Sequence, residues 1–495
     1  MPITSGAGQR EATPAAAGLT PRRRVLVLAI CCMSLFIVGL DNTIVNIALP
    51  SIQRDLHASV SGLQWVIDAY TLVLAGLLML SGSTGDRIGR RRTFQTGLVL
   101  FTLGSLLCSL APSLGWLVAA RALQAVGGSM LNPVAMSIIT NTFTEPRERA
   151  RAIGVWGGVI GISMALGPLV GGALVGSVGW QSIFWINIPV GVAAVVLCAL
   201  FVPESRAPHP RRVDPVGQAL VIVLLTSLTY GIIEAPTAGW TSTRTLACFA
   251  VSALALCAFV PYELRRAEPL IDLRFFRSVP FSGATVVAVC GFAALAGFLF
   301  MNTLYLQTTL GYPALHAGLY TLPMAGLTAV CAPLSGRIVG AAGPRVPLLV
   351  AGIAIGASGL MLTGLTAHTP LWQLMSAYVL FGLGFGMLNA PITNTAVSGM
   401  PRAQAGVAAA VASTSRQIGQ TLGVAVIGSL VTSAVRGPLP SGLPQASHVG
   451  WWIVTGCGAA ILLLGILTTT SWAGLTAVRT AERLSHVSTR TAGTS

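Results

Sequence analysis

Long apolar stretches run through most of the chain, separated by short clusters of arginine, proline, glycine and other polar residues. Each stretch is close to the roughly 20 apolar residues that a helix needs to cross the hydrocarbon core of a bilayer. With the polar breaks as boundaries, we predict fourteen membrane-spanning helices. They lie at 25–48, 63–83, 95–112, 116–138, 152–176, 183–202, 216–235, 245–263, 280–306, 316–336, 346–366, 372–396, 405–433 and 450–474.

The first apolar stretch resembles a signal peptide only at its start. Arg22, Arg23 and Arg24 precede it, as basic residues precede the apolar core of a secretory signal. The stretch then continues through Pro50 without a small-residue cleavage site, far beyond the roughly 7–15 residues of such a core. We therefore expect a retained first transmembrane helix.

Composition supports a membrane protein. Only 9% of the 495 residues are charged and 54% are hydrophobic, whereas soluble domains carry roughly 25% charged residues. Too few charges are present to solvate a globular surface. The expected fold class is an all-α polytopic membrane protein.

The net charge of +15 is explained by topology. A basic chain of this kind can indicate nucleic-acid binding, but these arginines fall in short clusters between apolar runs. With an even number of spans, 24 of the 29 basic residues lie on the side of the two termini and 3 on the other side. The positive-inside rule then places both termini in the cytoplasm, in a multi-pass cell-membrane protein without a nucleic-acid partner.

Several functional sites are disfavoured by composition. The chain has no lysine, so it cannot form the phosphate-binding loop that needs one, and we expect no ATP hydrolysis. Its nine cysteines lie in apolar stretches without the spacing of a zinc or redox site, and its six histidines are scattered. No cofactor and no metal are expected.

Two pairs of segments indicate an internal duplication. "SGSTGDRIGRRRTF" at 81–94 reappears as "SGRIVGAAGPRVPL" at 335–348, and "VGGSMLNP" at 126–133 as "LGFGMLNA" at 383–390. The nearly equal offsets predict two related six-helix bundles, an arrangement common in secondary transporters. Predicted spans 7 and 8 have no counterpart. The expected organisation is an N-terminal tail at 1–24, a bundle at 25–202, a linker with two extra helices at 203–279, a second bundle at 280–474 and a C-terminal tail at 475–495.

The first repeat differs from the second at one informative position. Asp86 lies among Arg87, Arg90 and Arg91, whereas its counterpart is Gly340. The arginines suit a topological anchor, and the added acid suits a cluster of charge-assisted bonds that can break and reform. A role beyond anchoring is therefore expected in the first repeat.

Three ionisable residues lie inside predicted spans of the first bundle: Asp41, Asp68 and Arg121. A charge inside a bilayer costs about 2.5–3.5 kcal/mol on insertion scales, so such residues are usually functional. Each has polar neighbours at helical spacing, which predicts a shared water-filled cavity, although buried structural pairs remain an alternative. The polar neighbours are Gln64, Thr71, Gln124, Asn132, Ser34, Asn42 and Asn46, with Asn302 and Arg416 as weaker candidates in the second bundle.

A carboxylate in such a cavity can couple transport to protons. Low dielectric favours the protonated form and a nearby guanidinium favours the ionised form, so hydration or closure shifts the balance. The membrane potential supplies about 2.3 kcal/mol per charge per 100 mV. The hypothesis is that Asp41 is the chief proton-responsive and cation-responsive site, with Asp68 assisting and Arg121 tuning it.

Several motifs together resemble a known family. The chain is similar throughout to the fourteen-span drug:proton antiporter branch of the major facilitator superfamily, of the EmrB/QacA type. The resemblance rests on "LDNTIVNIALP", "RALQAVGG", "WQSIFWINIPVG", "EPLIDLRFFR" and "LQTTLGYPALHAGLYTLP", and on two motifs. The first, here called the latch motif, comprises Gly82, Asp86, Arg87, Gly89, Arg90 and Arg91. The second, the antiporter motif, comprises Gly154, Ser163, Gly167, Pro168, Gly171 and Gly172, with Ser163 where the family usually has glycine.

The resemblance implies roles for both motifs. The latch motif would hold the two bundles together on the cytoplasmic side when the cavity opens outward. The antiporter motif would form a tight seam between the bundles that limits proton leak. Ordinary close packing is the alternative for the second motif, because small residues let any two helices approach.

The expected function is proton-coupled export of amphipathic, cationic or antibiotic-like small molecules by alternating access. A dedicated exporter of one endogenous metabolite, lipid or siderophore is the alternative of the same class. A membrane-embedded enzyme is disfavoured because the sequence shows no nucleophile–base set, and a channel by the duplicated halves. Export rather than uptake rests on the resemblance. Expected partners are a small molecule, protons and the lipid bilayer, and the sequence is compatible with a monomer.

Overall fold

The computed structural model describes residues 20–207, 213–266, 268–398, 400 and 404–492. Within these ranges the chain folds into helices that run back and forth. The first bundle consists of α1 Pro21–Asp55, α2 Val60–Ile88, α3 Arg90–Ser109, α4 Leu114–Thr142, α5 Pro146–Ser177, the short α6 Ser182–Trp185 and α7 Asn187–Phe201.

An extra helical hairpin and a second bundle follow. The hairpin is α8 Pro215–Ala238 and α9 Thr243–Arg265, and a 3-10 turn, Leu273–Arg277, leads into the second bundle. That bundle consists of α10 Val279–Leu304 with a π-helical turn Tyr305–Thr309, α11 Ala314–Tyr320, α12 Leu322–Ala342, α13 Arg345–Leu362, α14 Leu371–Gly386, α15 Asn389–Val397, α16 Ala405–Ala434 and α17 Leu439–Thr468. A last helix, α18 Ser471–Ala492, ends the described chain.

Twelve helices among the described residues are long and apolar enough to cross a membrane. This number is lower than the fourteen that the apolar runs predict, because α3 and α5 are not among the twelve. α3 begins with Arg90, Arg91 and Arg92, which lower its mean hydropathy. The structure therefore confirms an all-helical, polytopic fold with twelve candidate spans.

Two predicted spans differ from the helices that overlap them, and a further helix lies in the region predicted as the C-terminal tail. α1 continues past the predicted end at 48 to Asp55, with Pro50 inside the helix. α17 occupies Leu439–Thr468 rather than 450–474, because Pro440 lies in the first turn, where a missing N–H group costs nothing. The predicted C-terminal tail is helical from Ser471.

The matching glycines of the two repeats occupy equivalent places. Gly89, between α2 and α3, has φ 128°, and Gly343, between α12 and α13, has φ 83°. A side chain other than glycine is strained in this region. Both glycines thus allow one helix to stop and the next to begin in a new direction.

The two bundles meet along a seam formed by α2 with α16 and by α5 with α11 and α12. The extra hairpin borders this seam, since α8 packs against both α2 and α16. The side-chain amide of Gln218 on α8 donates to the carbonyl of Gly76 on α2. The hairpin therefore belongs to the same packed assembly as the bundles.

Candidate functional site

A buried ion pair occupies the centre of the first bundle. Arg121 Nη1 on α4 lies 2.5 Å from Asp41 Oδ2 on α1, and their side chains are 2% and 0% exposed. Arg121 Nε donates to the carbonyl of Val66 on α2 at 3.1 Å. One guanidinium thus ties three helices together.

Amides complete the bonding around Asp41. Gln124 Nε2 donates to Asp41 Oδ1 at 2.9 Å and Asn187 Nδ2 donates to the same oxygen at 3.2 Å. Gln124 Nε2 and Asn187 Nδ2 also donate to Ser105 Oγ, at 2.8 and 3.3 Å. Arg121 Nη1 donates to Gln124 Oε1 at 2.7 Å. One guanidinium and two amide groups thus offset the cost of burying the Asp41 charge.

Close helix packing makes this network possible. A Cβ placed on Gly104 of α3 would lie 2.5 Å from Gln124 Cα, so only glycine lets α3 approach α4 here. That approach brings Ser105 against Gln124. The glycine is therefore part of the construction of the polar network.

Aromatic rings cover the guanidinium. The Arg121 Cζ atom lies 4.2 Å from the ring centroid of Tyr70 and 5.8 Å from that of Phe184. Sequence reasoning missed Tyr70, Phe184, Ser105 and Asn187. Asn187 was detectable as a polar residue within an apolar span, but nothing in its spacing connected it to Asp41.

Asp68 lies outside this network, on the face of α2 that points to the second bundle. It is 0% exposed, and its Oδ1 accepts a bond from Thr71 Oγ1 at 3.4 Å. Its Oδ2 has no hydrogen-bond partner among the described residues. A buried carboxylate oxygen without a hydrogen-bond partner is costly when the group is charged. Asp68 is therefore suited to binding a proton on Oδ2.

The neighbours of Asp68 on α2 bridge the two bundles. Thr71 Oγ1 accepts a bond from Thr421 Oγ1 of α16 at 2.9 Å. Gln64 Nε2 donates to the carbonyls of Val424 and Ala425 at 3.0 and 3.1 Å. The predicted polar stripe of Gln64, Asp68 and Thr71 thus faces the seam.

The remaining predicted residues are placed separately. Asn46 Nδ2 donates to Asn42 of its own helix, and Asn132 Oδ1 is buried without a described partner. Asn302 accepts a bond from the hydroxyl of Tyr378 inside the second bundle. Arg416 Nη2 donates to Thr393 Oγ1 at 2.6 Å. The structure thus joins Asp41, Arg121 and Gln124 and leaves the weaker candidates apart from that group.

A small apolar cavity lies between the bundles. It has a volume of about 20 Å³, close to the space of one water molecule. Thr43 of α1 and Pro168 of α5 face aliphatic and aromatic side chains of the second bundle across it. The lining residues are Thr43, Met164, Pro168, Leu295, Leu299, Met324, Ala325, Thr328, Phe381 and Phe385. A drug-sized molecule requires the bundles to separate here.

The latch motif is bonded within its own bundle. Arg90 donates to Asp86 Oδ1 from Nε at 3.0 Å and from Nη2 at 2.9 Å. Glu204, which follows α7, accepts a bond from the Arg91 backbone N–H at 3.1 Å and lies 3.7 Å from Arg92 Nε. Glu204 is a further residue that sequence reasoning missed, because it lies 113 residues away in the chain.

The antiporter motif packs against both bundles. A Cβ on Gly167 would collide with Thr43, and one on Gly171 would lie 2.6 Å from Ile44 Cγ1, so both glycines admit α1. A Cβ on Gly172 would lie 2.7 Å from the Ala314 carbonyl oxygen of α11, in the other bundle. Gly154 has open space beside it in the part of the chain that the structure describes. The outer part of the motif therefore forms close contacts, and Gly154 does not share them.

Glu145 caps the N-terminus of α5. The exposed Glu145 carboxylate accepts bonds from the backbone N–H groups of Glu148 at 2.6 Å and Arg147 at 3.1 Å. These bonds lower the pKa of Glu145. Among the described residues, no group of three or more histidine, cysteine or acidic side chains is arranged to hold a metal ion.

Comparison with known proteins identifies similar sequences and folds. The model of the Major Facilitator Superfamily matches residues 31–424. Multidrug resistance protein Stp of Mycobacterium tuberculosis is 37% identical over 86% of this chain and 79% of its own length. The tetracenomycin C resistance and export protein of Streptomyces glaucescens is 38% identical over 88% of this chain and 80% of its own.

A solved structure shares the fold at low identity. The crystal structure of a D-xylose-proton symporter superposes with a TM-score of 0.63 at 15% identity, covering 89% of this chain and 97% of that one. The likeness concerns the arrangement of helices.

Proposed function

The chain belongs to the Major Facilitator Superfamily, and we propose that it exports amphipathic, antibiotic-like small molecules in exchange for protons. Family membership makes it a multi-pass membrane transporter of small molecules rather than an enzyme. Export is supported by the relatives, which are named as multidrug resistance and antibiotic export proteins. The aromatic and thioether side chains that line the small cavity between the bundles suit the apolar part of such molecules.

The proposal includes fourteen spans, with both termini in the cytoplasm. α3 and α5 pack along membrane-length neighbours, α3 against α4 and α5 against α1. Two such helices that stopped within the bilayer would expose unsatisfied backbone groups to lipid. The six-helix units at 25–202 and 280–474, with the linker at 203–279, are the proposed moving parts.

The observation that carries proton coupling is the contrast between two buried carboxyl groups. Asp41 is ion-paired with Arg121 and bonded by two amides, whereas one oxygen of Asp68 has no described partner and faces the seam. We assign Asp68 as the group protonated in this conformation. Asp41 then becomes available when separation of the two bundles admits water to its pair with Arg121, and the substrate competes with the proton for the hydrated charge.

Dye efflux from everted membrane vesicles tests this function. Vesicles with an imposed proton gradient should accumulate a cationic dye and release it when an ionophore collapses the gradient. Asp41→Asn and Asp68→Asn should each lower this uptake roughly tenfold or more, since each removes an exchangeable proton. Glu234→Gln is the control. Glu234 is an acid on α8, outside the two bundles, and accepts a bond from Trp65. This variant should transport normally.

A folding control is needed for Asp41, because breaking a buried ion pair costs about 3–5 kcal/mol. The double variant Asp41→Asn/Arg121→Gln removes both charges and should recover thermal stability without recovering uptake. Full gradient-driven uptake by both single variants would contradict the proposal. A panel of unrelated antibiotics in the same vesicles separates a broad pump from a dedicated exporter.

A further inference from the structure

The last helix, α18, has a buried face and an exposed apolar face. The side chains of Ala473, Ala477, Thr480 and Leu484 are buried, at helical spacing on one side of α18. This face packs against the start of α10 and the 3-10 turn before it. The Val279 backbone N–H donates to Thr476 Oγ1 at 3.0 Å, which fixes the register of the contact.

A second face of α18 exposes large apolar side chains. Trp472, Leu475 and Val478 are 56%, 55% and 53% exposed. Yet α18 is not among the helices apolar enough to cross a membrane. Exposed apolar residues on a helix too polar to span are typical of a helix lying in the bilayer interface, where tryptophan is enriched.

The position of α18 along the membrane normal follows from its neighbours. The candidate span of α10 begins at Val279, and that of α17 ends at Thr468, three residues before Ser471. The two ends lie side by side, since a Cβ on Gly283 of α10 would collide with Thr468 of α17, and we take both as the boundary of the hydrocarbon on one side of the protein. α18 and the 3-10 turn therefore lie at the level of the lipid headgroups.

A basic pocket lies at the edge of the buried face of α18, where that face meets the 3-10 turn. The pocket has a volume of about 250 Å³ and is lined by Arg274, Arg277, Thr480, Arg483 and Leu484. The acids nearest in sequence are Asp272, whose Oδ1 is 3.7 Å from Arg274 Nε, and the exposed Glu482 on α18. With both acids counted, three guanidinium groups still outnumber two carboxylates, so the pocket keeps a net positive charge.

We propose that this pocket binds the phosphate group of an anionic phospholipid, with α18 lying in the interface beside it. Guanidinium groups bind phosphate oxygens through paired hydrogen bonds, and basic pockets at the membrane surface bind acidic headgroups. The exposed apolar face of α18 favours a lipid over a free anion, because the acyl chains of the same lipid cover Trp472 and Leu475. The inference is independent of the transported substrate.

Lipid binding to the purified full-length protein tests the site. Brominated lipids quench tryptophan fluorescence on contact. The Trp472 signal, taken as the difference between the native chain and Trp472→Phe, should be quenched more strongly by brominated phosphatidylglycerol than by brominated phosphatidylcholine in mixed vesicles.

The pocket variant Arg274→Gln/Arg277→Gln/Arg483→Gln should remove this preference and lower phosphatidylglycerol retained through purification roughly tenfold. A matched variant with the same net charge, Arg22→Gln/Arg149→Gln/Arg337→Gln, changes exposed arginines that do not line the pocket and should keep both. Equal quenching by the two lipids in the native chain, or equal losses in the two triple variants, would overturn the site.

Soluble anions separate the two sources of phosphate. Inorganic phosphate or glycerol phosphate, added at millimolar concentration, should leave the quenching by brominated phosphatidylglycerol unchanged. Displacement of the lipid at that concentration would show a site for a free anion and refute a lipid site.

Discussion

At the scale of single residues, Asp86 and Gly340 test the difference between the two repeats. Asp86 is half-buried and held by two bonds from Arg90. Gly340 occupies the matching position and has open space beside it among the described residues. We expect Asp86→Asn to lower the transport rate severely, because a neutral amide loses the charge-assisted bonds to Arg90.

Gly340→Ala is the matched control and should transport normally, since its Cβ meets no atom within 4 Å. Both variants are compared by dye efflux at equal membrane abundance. If Asp86→Asn and Gly340→Ala transport equally well, the latch motif serves only as an anchor.

Residue types were easier to predict than their partners. Asp41, Arg121 and Gln124 were identified from the sequence because charged and polar residues are rare in apolar helices. Asn187 donates to Ser105, which lies 82 residues away in the chain, and this bond depends on how α3 and α7 pack. The sequence also could not show which of Asp41 and Asp68 is ion-paired. That depends on which carboxylate the Arg121 guanidinium reaches in the folded bundle.

At the scale of helices, Ser163 explains how the antiporter motif tolerates a departure. Ser163 is fully buried on α5, and a Cβ placed on Gly39 of α1 would collide with its Oγ. The space that the family usually keeps on α5 is therefore supplied by a glycine on α1. α1 and α5 therefore still pack closely, with the glycine on α1 and the larger side chain on α5.

The seam between α5 and α11 provides a prediction at this scale. A Cβ on Gly172 would meet the backbone of α11, at 2.7 Å from Ala314 O and 2.8 Å from Leu315 Cα. Backbone atoms cannot yield as a flexible side chain can, and overpacking costs about 1–3 kcal/mol. Gly172→Ala should therefore disfavour the conformation in which these helices touch and slow dye efflux.

Gly154→Ala serves as the comparison, because it adds the same methyl group to the same helix where there is open space. It should transport at the native rate. Equal rates for Gly172→Ala and Gly154→Ala would show that the α5–α11 contact does not limit transport.

Hydropathy locates the long helices better than it locates their ends. Apolar runs located nearly all of the long helices, since length and hydropathy decide which segments enter a bilayer. Helical segments continue into polar surroundings, as α1 does to Asp55 and α17 from Leu439, and hydropathy does not detect them. The amphipathic α18 was missed for the same reason.

At the scale of the whole molecule, the contacts between bundles are unevenly distributed. Gln64, Thr71 and Gly172 join the bundles toward the ends of α2 and α5 that lie away from the latch motif. At the opposite end, Gly158 of α5 and Gly336 of α12 have open space beside them among the described residues. The latch motif there is bonded within its own bundle. The described contacts between the bundles thus lie away from the latch motif, and we expect the other half of the cycle to require separation of α2 from α16.

Cross-linking across the seam tests whether α2 and α16 must separate. Thr71 Oγ1 and Thr421 Oγ1 are 2.9 Å apart in different bundles, so Thr71→Cys/Thr421→Cys should form a disulfide with a membrane-permeant oxidant. The background is a chain whose nine cysteines are replaced and that still exports dye. Oxidation should abolish efflux and a reductant should restore it, because the closed seam is then covalently fixed.

Ser81 and Ser129 provide a matched pair within one bundle. Their Oγ atoms are also 2.9 Å apart, on α2 and α4, which belong to the same six-helix unit. A unit that moves as a rigid body keeps this distance throughout the cycle. Oxidised Ser81→Cys/Ser129→Cys should therefore transport normally. Efflux that survives the complete Thr71–Thr421 cross-link would rule out a cycle in which this seam opens, and loss of efflux in both pairs would show that the bundle itself deforms.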